Sequence, residues 1–134
     1  MTGSDGFRPA IALRGLACFG AVGLGLSVLA ATTRLGVPCP WRGLTGTLCP
    51  LCGGTHVGMA LLRGDLAAAW TANQFVVVGL AVLAALGLLW TVEALGGPAV
   101  RLPRLLRRRP GRWWFALGVV AVLFAVWRNL QPLG

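Results

Sequence analysis

The chain has 134 residues, 57% of them hydrophobic and only 11% charged, with a mean hydropathy of +0.79. A soluble domain of this size needs more polar residues to cover its surface, so this composition points to lipid as the solvent. The formal net charge of +9 sets twelve basic residues, all arginine, against three acidic ones. Arg101, Arg104, Arg107, Arg108, Arg109 and Arg112 crowd one short run before an apolar segment, a topology signal and contact for anionic membrane lipid rather than a nucleic-acid surface.

Residues 1–10 read as a short tail holding Gly3, Ser4, Asp5 and Gly6, all poor helix formers, with Pro9 close to where the first helix should begin. A first transmembrane helix is predicted over about 11–33. Its apolar core is long for the h-region of a cleaved signal peptide, so it reads as an anchor. Arg14 lies near enough to its start to snorkel toward headgroups. Small residues recur four apart at Ala17, Ala21 and Gly25, and again at Gly23 and Ser27. This spacing predicts a flat stripe open to close approach by another helix. Cys18, inside this span, reads as a small packing residue.

The connection 34–72 is too apolar for an ordinary loop, which places it against the membrane surface or dipping partly into it. Pro38 and Pro40 argue against helix at its start. Helix is expected from Thr55, with Thr55 as its cap. Arg63-Gly64-Asp65 interrupts it, and Asp65 caps a second short helix, 66–72. Trp41 and Trp70 suit the headgroup layer.

A second span is predicted over about 73–92. Gly96, Gly97 and Pro98 then break the chain before the arginine run. A third span is expected over about 113–130. Its apolar core, Trp113 to Trp127, gives only about 22 Å of helix against a hydrocarbon core of roughly 30 Å. The expected fold is therefore an all-α membrane protein: three transmembrane helices with a partly helical, cysteine-containing interfacial connection between the first and second. The arginine bias places the connection 93–112 and the N-terminus in the cytoplasm, and residues 34–72 and the C-terminus outside a bacterial inner or plasma membrane.

The unusual chemistry lies in that outer connection, where Cys39, Cys49 and Cys52 precede His56. One reading is a structural disulfide joining Cys39 to Cys49 or Cys52, favoured by an oxidising compartment. A second is a metal site. Cys39, Cys49, Cys52 and His56 form a legitimate tetrahedral set for zinc, and the thiolates also suit copper(I) or iron. A third is redox chemistry at the Cys49-Pro50-Leu51-Cys52 pair, with Cys39 as a resolving thiol and a quinone or partner protein accepting electrons. Cys49 or Cys52 with His56 is a weaker nucleophile–base pair. No serine-hydrolase elbow, zinc-protease motif or phosphate loop occurs. Three spans offer little room for an ion pathway within one protomer.

The motif Cys49-Pro50-Leu51-Cys52-Gly53-Gly54-Thr55, preceded by Cys39-Pro40 and followed by Arg63-Gly64-Asp65, Asn73 and Arg128-Asn129, resembles the DUF2752 family of small bacterial membrane proteins. The resemblance implies a multi-span membrane protein and leaves the reaction open. His56 stands where that family carries arginine, which weakens the histidine as a shared ligand and leaves the three cysteines. The combined expectation is a structural or accessory subunit with a disulfide-stabilised outer connection and no resident cofactor, engaged with itself or a larger membrane complex. The alternatives are a membrane thiol–disulfide oxidoreductase and a metal site.

Overall fold

Prolines open three of the helices and so fix where they begin. At the first helical position proline's missing N–H costs nothing, and its fixed φ suits the turn. A computed structural model describes residues 8–33, 38–98 and 110–131. The helices are α1 (Pro9–Thr33), α2 (Pro40–Thr45), α3 (Gly54–Leu62), α4 (Leu66–Ala72), α5 (Gln74–Ala94) and α6 (Pro110–Leu130). No strand occurs among the described residues. α1, α5 and α6 are each long and apolar enough to cross a membrane, as the hydropathy pattern predicts. α6 has 21 residues, about 31 Å of helix, so it extends beyond its apolar core and matches the hydrocarbon thickness.

Two local expectations need correction. Pro40 does not exclude helix but starts α2, because only the residue before it, Cys39, must be extended. α3 begins at Gly54 and its cap is Gly53, in the left-handed conformation at φ +90°, so Thr55 already lies inside the helix. The cap of α4 is as expected: Asp65 Oδ1 accepts from the Ala68 N–H at 2.8 Å.

α3 and α4 form an antiparallel hairpin whose tip is Arg63-Gly64-Asp65. The hairpin packs on one end of the α1–α5 pair. Val57 and Ala69 are fully buried there, with Ala60, and Val76, Val77 and Leu80 of α5 close over them. Ala69 is small because two helices must approach closely at that point. Gly58 is small for the same reason: a Cβ there would collide with Ser27 Oγ of α1. Ser27 is buried, and its hydroxyl donates back to the Gly23 carbonyl at 2.8 Å, which satisfies it inside an apolar contact. Ala17, Ala21 and Gly25 stay exposed, so that part of the small-residue stripe does not carry the contact. Lower down, α1 meets α5 where a Cβ on Gly87 would lie 2.7 Å from Leu16.

α6 joins the bundle near its C-terminal end. Phe124 stacks on Phe75 with ring centroids 5.5 Å apart, and Trp127 leans on Phe124 at 5.8 Å. No residue of α5 is buried. Leu88, Val82, Phe115 and Leu123 are left open, as expected of surfaces whose natural covering is lipid or another helix.

Candidate thiol site

The turn Cys49-Pro50-Leu51-Cys52 is closed by the Cys52 N–H donating to the Cys49 carbonyl at 3.0 Å. Pro50 pre-sets φ at the second position of the turn. Gly53 follows at φ +90°, and a Cβ there would come within 3.1 Å of the Ala72 carbonyl oxygen. Only glycine combines that conformation with that approach. The turn puts both of its sulfurs on one side. Cys52 Sγ lies 3.2 Å from Cys49 Sγ and accepts from the Cys49 N–H at 3.2 Å.

Cys39 arrives from the other direction, as the extended residue before α2. Its sulfur lies 3.4 Å from Cys49 Sγ. The three sulfurs all fall within 4.8 Å of one another. A disulfide bond is about 2.05 Å long, so the expected pairing of Cys39 with Cys49 or Cys52 is not formed; all four cysteines are free thiols. The contacts among the three are those of hydrogen-bonded thiols, with Cys49 in the middle. Cys18 is exposed on α1, outside the cluster.

Three polar side chains hold the turn from outside. Asn73, fully buried between α4 and α5, donates from Nδ2 to the carbonyls of Pro50 at 2.8 Å and Cys52 at 2.9 Å. Its Oδ1 accepts from the Val76 N–H at 3.0 Å and so caps α5. Arg128 of α6 donates to the Cys52 carbonyl at 2.7 Å and to the Ala72 carbonyl at 3.0 Å. It thereby ties the cysteine turn ahead of α3 to the last turn of α4, and its guanidinium sits 5.9 Å from the centre of the Phe124 ring. Asn129, the next residue, bonds both backbone groups of Leu48. Among the described residues, every buried side-chain nitrogen and oxygen has a hydrogen-bond partner.

The thiols differ in acidity. Cys39 is lowered to about 7, first by the backbone N–H of Arg42 at the start of α2, then by the Cys52 and Cys49 thiols. Cys52 is raised to about 11, first by burial and then by the neighbouring sulfurs. Near neutrality the cluster therefore holds a ready thiolate at its open edge and a protonated thiol at its buried edge.

Of the residues singled out in the sequence, the structure brings together Cys39, Cys49 and Cys52. His56 is not among them. It is exposed, and with Met59, Arg63, Asp65 and Thr71 it lines an open cleft of about 320 Å³ between α3 and α4. Arg112 is exposed in the first turn of α6. Arg101, Arg104, Arg107, Arg108 and Arg109 lie outside the described residues. Asn73, Arg128 and Asn129 were visible in the sequence only as scattered positions of a resemblance. The signal that gives them a role is amide and guanidinium groups at the ends of otherwise apolar spans, where they must find partners or remain in water.

These features define the class: a three-span helical membrane protein with a cluster of three thiols clamped at one end of its bundle. Residues 39–87 match the model of the DUF2752 family, described as a protein of unknown function, so the chain is similar to that family over this stretch. It covers all three clustered cysteines and Asn73, and ends before α6. No curated protein and no solved structure matches the chain.

Proposed function

We propose that this membrane protein binds a thiophilic metal cation through Cys39, Cys49 and Cys52. The observation that carries the reading is the convergence of three sulfurs, from two separate stretches of chain, within 4.8 Å. A zinc–sulfur bond of about 2.3 Å sets tetrahedral sulfurs about 3.8 Å apart, and the sulfurs here stand 3.2 and 3.4 Å apart in the two closest pairs. A single ion entering between them needs only a small outward movement of each thiol. The turn that carries two of them is braced on its backbone side by Asn73, Arg128 and Asn129, the outer-layer support that metal ligands commonly have.

The thiols and the end of α6 lie on one side of the membrane, since Arg128 and Asn129 reach the turn. By the arginine bias that side is the outside, with the arginine-rich connection in the cytoplasm. The small size and the uncovered faces of α5 and α6 suit an accessory subunit beside a second copy or a larger membrane complex.

The test is thiol protection. One equivalent of metal added to the reduced, detergent-solubilised protein should shield Cys39, Cys49 and Cys52 together from maleimide and leave Cys18 reactive. Equal labelling of the three with and without zinc or copper(I) overturns the reading.

The second reading, thiol–disulfide exchange, is favoured by the central place of Cys49, within 3.4 Å of either neighbour's sulfur. Two thiols of this chain would give up two protons and two electrons to a partner protein's disulfide, leaving Cys49 bonded to Cys39 or Cys52 and the partner reduced. A stable mixed disulfide trapped by a single Cys→Ser variant supports it; failure of the thiols to reduce a model protein disulfide removes it.

A further inference from the structure

We propose that the ion is copper(I), held by three thiolates alone, with Cys39 as the ligand that lets go when the ion is passed to another thiol protein. This rests on the reading of the cluster as a soft-cation site.

The donor set is the first argument. Three sulfurs and no oxygen or nitrogen form a soft site, which copper(I) matches best when the ligand number is low. Structural zinc is almost always four-coordinate. Among the described residues no histidine, aspartate or glutamate joins the three cysteines. His56 is the one nearby histidine, and it faces the α3–α4 cleft with Arg63 and Asp65. Copper(I) is satisfied by three sulfurs, so the site is complete for it as the chain stands.

The asymmetry of the cluster is the second argument. Cys49 and Cys52 share one turn, and the bonds from Asn73, Arg128 and Asn129 end on Leu48, Pro50 and Cys52 of that stretch. None of them ends on Cys39. Cys39 belongs to the segment leading into α2 and reaches the cluster through its own sulfur. Two ligands are therefore braced by the rest of the bundle, and the third is held only at the N-cap position of α2. In the transfer step a thiolate of an incoming dithiol carrier bonds to copper, the bond from copper to Cys39 Sγ breaks, and Cys39 leaves as a thiolate that takes a proton from water. Copper stays in the +1 state throughout, and no electrons change hands.

The experiment uses the full chain carrying Cys18→Ser, reduced and without oxygen in detergent. It is loaded with copper(I) or zinc(II), and read by X-ray absorption and by the rate of copper loss to a chromogenic copper(I) chelator. The expected result is one copper with three sulfur neighbours. In Cys39→Ser the copper should keep two sulfurs and be lost to the chelator at least about tenfold faster. His56→Ala should match the parent. Zinc bound with a nitrogen ligand and not displaced by copper overturns the proposal while leaving the soft-cation reading intact. So does copper with only two sulfurs in the parent, loss of copper on His56→Ala, or an unchanged release rate in Cys39→Ser. Failure of both metals to bind the parent protein defeats the underlying reading itself.

Discussion

The side-chain amide of Asn129 pairs with Leu48 as one extended backbone pairs with another: Oδ1 accepts from the Leu48 N–H at 2.9 Å, and Nδ2 donates to the Leu48 carbonyl at 2.9 Å. The last turn of α6 thus supplies a substitute strand edge to the residue just before the cysteine turn. Replacing Asn129 by Leu removes both bonds at once. We expect a loss of about 1–2 kcal/mol, two modest hydrogen bonds in a partly exposed place. Alkylation of Cys49 should rise well before the spans unfold, as mass mapping of thiols during a mild denaturant ramp would show.

Asn73 is the more sensitive position, because it is fully buried and serves three backbone groups. Asn73→Leu should cost about 2–4 kcal/mol, from the lost cap and the carbonyls deprived of its donors. Asn73→Asp keeps the acceptor that caps α5 but loses the donors to Pro50 and Cys52. If the tie to the turn matters more than the cap, the two variants should lower the thermal unfolding midpoint by similar amounts.

Thiol reactivity should follow the acidity order. The Cys39 pKa is lowered to about 7 and that of Cys52 raised to about 11. Only the thiolate attacks, so alkylation of Cys39 should rise through neutral pH and level off below pH 9. Cys52 should still be gaining reactivity at pH 10. A pH series of iodoacetamide labelling, resolved by peptide, measures this. Cys52→Ser should move the Cys39 midpoint upward if the alcohol supports the thiolate less well than the thiol does.

Gly58 sets the seat of α3 on α1. Gly58→Val forces a side chain against Ser27, and overpacking of this kind typically costs about 1–3 kcal/mol. The outcome to look for is faster hydrogen exchange in α3 and α4, with α1 and α5 unchanged. Ser27→Gly in the same protein should restore protection if the clash is the cause.

The three spans and the cap of α4 at Asp65 could be read directly from the chain, because lipid demands long uninterrupted apolar helices and a capping carboxylate is a local matter. The proximity of Cys49 to Cys52 followed from their spacing. That Cys39 joins them did not, since it depends on where α2 places the preceding residue. The separation of His56 was also hidden: it follows from Gly53 turning the chain into α3 so early that His56 is carried to the outer face. Asn73, Arg128 and Asn129 meet at the turn only through tertiary packing. The Ala17-Ala21-Gly25 stripe shows the reverse case, a pattern compatible with packing that the fold leaves facing outward.

Arg128 has one more consequence. It reaches back 76 residues to Cys52, and Asn129 reaches 81 to Leu48. During synthesis the thiols leave the ribosome long before the groups that brace them. Until α6 has entered the bilayer, Asn73 is the one of the three outer braces already in place on the turn. Full bracing of the turn is thereby timed by insertion of the final helix, so a nascent chain arrested before Arg128 should show faster hydrogen exchange at the Leu48–Cys52 backbone than the finished protein.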